Sequence, residues 1–340
     1  MILFQFPSAI FPDNAISRAE LSYQARSRKK LSPWRRWVNS AVMWLALAIA
    51  LVEYIGLWGA SLLQRDPAAL THALNPLPTL LVLFAFFYHF YLMFQTIALT
   101  ANSIAREKEA QTWEMLVLTG INARQIVRGK WWASIQRQLP AYLRLGMLRA
   151  GAMAALAIGL SSLYNYSGGY YARQLQLPHP ITVVVVGIFG VALPVANLAL
   201  SAACGVMGSA ASKRSTFAIA RGFAIQIVIT LVPVLIIAVS ISRLYTVTVG
   251  PVLRSIYSAL GLAIISLVDN GVIMLTFPIR LDYNYNSGAH SAPYTTTNAP
   301  LTFDWMVAGL LVLIFYGLLI RFALWRAEKR AVRALASPVS

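Results

Sequence analysis

The sequence predicts an all-α polytopic membrane protein with six transmembrane helices and a re-entrant helical hairpin before the last span. Three observations carry that expectation. Of 340 residues, 58% are hydrophobic and 11% charged, with a mean hydropathy of +0.64; a soluble domain carries about 25% charged residues. The apolar residues gather into runs of about 20, long enough to cross a hydrocarbon core of roughly 30 Å as helices. The 28 Lys and Arg fall mostly in segments on one side of the resulting topology.

Residues 1–37 read as a basic cytoplasmic arm. Met1 to Pro12 shows neither the basic start nor the apolar centre of a secretory leader. Asp13 or Asn14 is placed to cap a helix beginning at Ala15. Ile16, Ala19 and Tyr23 share one face at helical spacing, with Arg18, Arg26, Arg28, Lys29 and Lys30 elsewhere. Two readings stay open: an interfacial helix on an anionic leaflet, or a solvated tail that only fixes topology.

A single transmembrane domain, residues 38–340, follows the arm. Span one is expected at about Val38 to Leu62 and span two at about Leu77 to Ala101, separated by QRDPAALTHALNP with its Pro and Asn breakers. Span three is expected from roughly Gly146 to Tyr166, span four from Ile181 to Met207, and span five from Phe223 to Ile241. The last span covers about Phe303 to Leu324, ahead of the basic tail RAEKRAVRALASPVS.

Residues 251–302 decide the topology. Ser255 to Pro278 is apolar enough to span, but Asp269, Asn270 and Gly271 interrupt its middle. An acid at the bilayer centre costs about 2.5–3.5 kcal/mol, and such a break is tolerated where the backbone is buried in protein or lines a wet cavity. Two half-helices entering and leaving on one side satisfy that constraint, and make these three residues a candidate outer gate. With this hairpin and both termini inside, 23 of the 28 Lys and Arg lie on the inner side. A seventh full span would send Arg321, Arg326, Lys329, Arg330 and Arg333 outside, against the positive-inside bias. The polar stretch Tyr283 to Thr302 reads as an external connector. Location in the cytoplasmic (inner) membrane follows, and the net charge of +17 is explained by topology without nucleic acid.

Between spans two and three lies the one long charged interlude, residues 102–140, with Ser103 to Trp132 (SIAREKEAQTWEMLVLTGINARQIVRGKWW) at its heart. Its first half carries acids and bases at helical neighbour spacing and continues from span two along the membrane surface. After Gly120, Asn122 is placed to cap a second short helix with Ile126 and Val127 on one side, Arg124 and Arg128 on another. Two short helices joined by a turn and hung from two spans transmit any force applied there into the membrane.

This stretch resembles the signature of type-2 ABC exporter permeases, roughly Glu-Arg-Glu-x-Gly-Thr-x-Glu-x-Leu, then Thr-Pro, then Ile-x-x-Gly-Lys. Glu107, Glu109, Thr112, Glu114, Leu116, Thr119, Ile126, Gly129 and Lys130 match in one register; Gln111 replaces the usual Gly and Gly120 the usual Pro. A weaker match, Asn14 to Leu21 with Arg26, resembles the Asn-Pro-x-x-x-x-Glu-Leu opening of such permeases, Ala15 replacing Pro. The resemblance implies a cytoplasmic coupling helix between spans two and three. Gly120, Ile121, Arg124, Ile126, Arg128, Gly129 and Lys130 would seat on a separate nucleotide-binding ATPase subunit, with Glu107 to Leu116 in support. It further implies pairing with a second permease copy or a paralogue. No cofactor is expected in this chain; ATP and Mg would sit on the partner. Gly129-Lys130 is no P-loop, because Gly120 is too distant and Trp131 follows the lysine.

Other chemistry is sparse. Cys204 is alone in an apolar run, and His72, His89, His179 and His290 are scattered, so neither a disulfide framework nor a metal site is expected. Glu53 and His89 lie inside spans, where ionisable groups face a bundle interior or a wet cavity; each is a candidate for the translocation path or a structural hydrogen-bond partner. Two other classes compete with an ATP-driven permease. A secondary transporter or channel calls for paired half-helices in related halves, but one broken helix and no internal repeat are seen. An intramembrane enzyme calls for convergent catalytic groups, and none form a motif.

Overall fold

The computed structural model describes residues 15–26, 32–63, 77–113, 115, 121–165, 174–176, 180–212, 214–244, 282–284 and 301–336. Seven helices lie among the described residues: α1 (Ala15–Arg26), α2 (Pro33–Leu63), α3 (Leu77–Glu109), α4 (Ala123–Asn165), α5 (Pro180–Ala210), α6 (Ser215–Leu244) and α7 (Leu301–Ala336). Two three-residue strands, β1 (Gln174–Gln176) before α5 and β2 (Asp282–Asn284) before α7, pair antiparallel with Leu175 opposite Tyr283. Among the described residues, five helices are long and apolar enough to cross a membrane: α2, α3, α5, α6 and α7. Asp269, Asn270 and Gly271, and with them the expected re-entrant hairpin, lie outside the described residues, as do Glu114, Leu116 and Gly120.

α5 is the hub. Half of its most apolar window is buried, against 17% for α2 and α6, and it packs against α3, α4, α6 and α7. Its composition explains the position: small residues at Ala202, Ala203, Cys204, Gly205, Gly208 and Ser209, all buried, let neighbouring backbones approach. Among the glycines of α5, Gly208 makes the closest approach to a neighbouring backbone, that of Gly222 of α6, where a Cβ on Gly208 would lie 2.6 Å from the Gly222 nitrogen. One apolar core joins Leu57, Met153, Val186, Leu193, Val312 and Tyr316 across α2, α4, α5 and α7. A second lies nearer the basic helix ends and includes Ile104, Trp113, Ile126, Val127, Val206 and Ala327.

The interlude is shorter than its sequence suggests. Past the end of span two at Ala101 the helix continues into the interlude, as expected; α3 runs to Glu109 and turns at Ala110 and Gln111. The stretch expected as a separate short helix is instead the beginning of α4, which runs 43 residues without a break. Burial explains the difference. Ala123, Ile126, Val127 and Lys130 all face the interior, so the helix has packing partners from its first turn and no reason to end before its apolar part begins.

α1 begins at Ala15 as expected and turns a polar face toward the rest of the chain. The face drawn from Ile16, Ala19 and Tyr23 is not the one turned inward: Ala19 and Tyr23 are exposed and Ile16 is half-buried. The buried residues are Ser17, Glu20 and Gln24, and the helix packs on α4. A polar face is buried because α4 offers it a lysine and an arginine, as the site below shows. α2 begins earlier than expected, at Pro33.

Candidate coupling site at the basic end of the helices

Asn122 starts α4 with a reciprocal cap. Its Oδ1 accepts the Arg124 backbone N–H at 3.0 Å, while its own N–H donates to Gln125 Oε1 at 3.4 Å. This is a capping-box arrangement, satisfying two backbone donors at a helix start. It sets the phase of the helix. Ile126 and Val127 are fully buried and Arg124 is exposed, as the sequence spacing predicts.

The next turn carries Lys130, whose side chain is 1% exposed. Its Nζ donates to the Ser103 carbonyl at 2.8 Å and to Glu107 Oε1, both on α3, and faces Glu20 Oε2 of α1 at 3.4 Å. A buried ammonium is tolerated only when its donors are taken up by charged or carbonyl partners; here two helices, α1 and α3, supply them. Around this centre, Gln24 Nε2 donates to Glu20 Oε1 at 2.9 Å. Arg137 of α4 donates to the Gln24 carbonyl and Oε1 at 3.0 and 3.1 Å. Arg106 approaches Glu20 at 3.9 Å and stacks its guanidinium 3.6 Å from the Tyr23 ring centre.

Beyond the triad, the end of α3 reaches α5 and α6. Lys108 Nζ donates to the Ala210 carbonyl at 2.7 Å, and Glu109 Oε1 accepts the Ser215 backbone N–H at 2.7 Å. Ser209 Oγ accepts backbone N–H groups of Ile104 and Ala105 at 3.2 and 2.8 Å. On the opposite flank, Arg128 Nε donates to Glu328 Oε1 of α7 at 2.7 Å.

The predicted site residues therefore divide. Glu107, Gly129, Lys130 and Ile126 are interior or partly interior and tie helices together. Glu109 caps a neighbouring helix, and Thr112 Oγ1 donates to the Glu107 carbonyl at 3.3 Å. Ile121 packs against the lower core. Of the cationic pair, Arg128 is engaged with Glu328, while the Arg124 side chain has no hydrogen bond or ion pair among the described residues. Arg124 is the member of the set free to meet something outside the chain.

The chain matches no family model and no curated protein.

Two residues expected within spans have a separate geometry. His89 is 4% exposed, and its Nε2 lies 3.4 Å from Asn197 Nδ2; Gln226 Nε2 in turn donates to Asn197 Oδ1 at 3.3 Å. This links α3, α5 and α6 through buried polar groups. Glu53, on α2 and 3% exposed, is not part of that chain, and its Oε1 has no hydrogen-bond partner among the described residues. The structure thus brings His89 together with two amides, not with Glu53. No group of three or more His, Cys, Asp or Glu able to hold a metal occurs among the described residues.

Sequence reasoning gave Asn197, Gln226, Ser209 and Glu328 no role. Three of them carried a signal: Asn197 and Gln226 are amides inside apolar runs, and Glu328 is an acid in a basic tail. Glu20 entered only through a motif resemblance, and its burial beside Lys130 was not foreseen.

Proposed function

We propose that this chain is the membrane-spanning permease subunit of an ATP-binding cassette exporter, moving a substrate across the cytoplasmic membrane with ATP hydrolysed on a separate nucleotide-binding subunit. In this reading the membrane part comprises six spans, α4 contributing the third, with a re-entrant hairpin before α7 and both termini cytoplasmic. A second copy or a paralogue completes the translocation path.

The observation that carries it is the Glu20–Lys130–Glu107 triad. Residues at two ends of the permease-like motif, Glu107 and Lys130, meet in one buried contact. The end of α3, the start of α4 and exposed Arg124 are thereby braced against one another. Force on Arg124 passes through Lys130 into α1 and α3 and through Arg128 into α7. A solvated linker would need no such bracing.

A photo-crosslinking amino acid at position 124, in native membranes, tests the reading. An adduct with a nucleotide-binding ATPase is expected. With the crosslinker moved to exposed Met115 of the same interlude, the adduct is again expected, and is lost on adding Arg124→Glu at unchanged chain abundance. Absence of any ATPase adduct, or substrate movement that persists without ATP, sinks it. The second outcome would favour a secondary transporter or channel, for which the buried His89–Asn197–Gln226 chain is the observation in favour.

A further inference from the structure

A groove of about 870 Å³ opens between the start of α4 and the end of α7, away from the triad. On α4 its wall includes Trp131 and Trp132; on α7 it includes Gly317, Leu318, Arg321 and Trp325. The Arg128–Glu328 pair bridges the two helices at the outer end. From Glu328 to Gly317 the wall descends eleven residues along α7, about 16 Å at helical rise. Polar and charged groups lie at one end and apolar ones at the other.

We propose that this groove is a binding site for one anionic glycerophospholipid of the leaflet at the basic helix ends. Volume comes first: 870 Å³ falls in the range of about 300–1,000 Å³ typical of small-molecule sites. Charge comes second. Arg321 is exposed and has no ion pair among the described residues, and a planar guanidinium pairs with phosphate through two parallel donors. Basic pockets between membrane helices on this side of a bilayer take anionic headgroups. Depth comes third. Arg321 sits on α7 one turn to the polar side of Gly317 and Leu318, and its long side chain can lift its charge to the headgroup level while its stem stays with the acyl chains. Trp131, Trp132 and Trp325 have the amphipathic rings enriched at that level. Arg326 and Lys329 lie over the Trp325 ring at 5.6 and 5.2 Å, adding positive potential beside the rim.

Gly317 marks the acyl end. A Cβ added there meets nothing within 4 Å, so a side chain would enter open space instead of breaking a helix contact. The inference does not depend on an ATPase partner, and its test uses the full chain by itself.

The experiment is native mass spectrometry of the chain released from nanodiscs of mixed phosphatidylglycerol and phosphatidylcholine. One phosphatidylglycerol per chain is expected to be retained in preference to phosphatidylcholine. Arg321→Gln is expected to lower that retention about fivefold, the effect of one basic residue on an anionic surface. Gly317→Leu should abolish it by filling the groove, with thermal unfolding unchanged to show that the variant folds. Equal retention of both lipids, or retention unaltered in folded Gly317→Leu, overturns the proposal. So does a photo-crosslinker at Leu318 that captures a polypeptide in native membranes instead of lipid.

Discussion

Lys108 and Glu109, consecutive at the end of α3, hold the two sides of a single turn: Lys108 donates to the last carbonyl of α5, Ala210, and Glu109 accepts the first amide of α6, Ser215. A cation at a helix C-terminus and an anion at an N-terminus are both favourable. Successive helical residues diverge by about 100°, which suits them to straddle the turn. The end of α3 is thus a clasp on the α5–α6 connection.

Exchanging the two charges (Lys108→Glu with Glu109→Lys) keeps net charge and composition but sets each against its helix end. Thermal unfolding in detergent should show a loss of roughly 1–2 kcal/mol. Glu109→Ala alone should cost about 1 kcal/mol, as for loss of a helix cap. An unchanged midpoint in the exchanged variant would show that the clasp has no energetic weight.

Lys130→Met leaves the carboxylates of Glu20 and Glu107 in the interior without their shared cation. Removing one partner of a buried ion pair costs about 3–5 kcal/mol. Because α1 is attached largely through this centre, limited trypsin digestion should cut at Arg26 faster in the variant. Adding Glu20→Gln and Glu107→Gln should recover part of the loss. Equal cleavage in wild type and Lys130→Met would argue against the latch.

Gln111 ends α3 at φ 55°, in the left-handed region where a side chain is costly. Its N–H donates to the Lys108 carbonyl at 3.2 Å, a helix-terminating bond. The permease signature places glycine at this position. Gln111→Gly should therefore stabilise the protein, by up to about 1 kcal/mol after the added freedom of the unfolded chain is subtracted. Differential scanning fluorimetry reads this directly; a lowered midpoint would contradict it.

A Cβ on Gly151 of α4 would fall 2.4 Å from the Ala50 Cα of α2, a backbone atom that cannot turn aside. Gly151→Ala should push these helices apart and cost about 1–3 kcal/mol, the usual penalty of overpacking. Gly317→Ala, entering open space, serves as the neutral comparison.

Much of the frame was legible because apolar runs of spanning length have few other uses. The helices containing spans one, two, four, five and six all cover their expected ranges. What could not be read was the burial of charge. Lys130 and Arg137 look like part of an exposed interlude when counted along the chain, yet they turn inward to meet Glu20, Glu107 and Gln24 from distant segments. The inward face of α1 was hidden for the same reason: periodicity marks apolar faces, and α4 presents charged partners to Glu20 and Gln24. The Asn122 cap, by contrast, depends on residues three apart and was visible at once.

The acids on the basic side deserve a common description. Glu20, Glu107, Glu109 and Glu328 are the four there whose side chains are described, and each is joined to a different helix from its own. In a chain of net charge +17, these scarce carboxylates act as rivets.

Where α5 meets α6, Gly208 and Gly222 touch backbone to backbone, leaving no gap for either rod to slide along the other. Any rearrangement that passes through this pair must turn about it, as blades turn on a scissor pin.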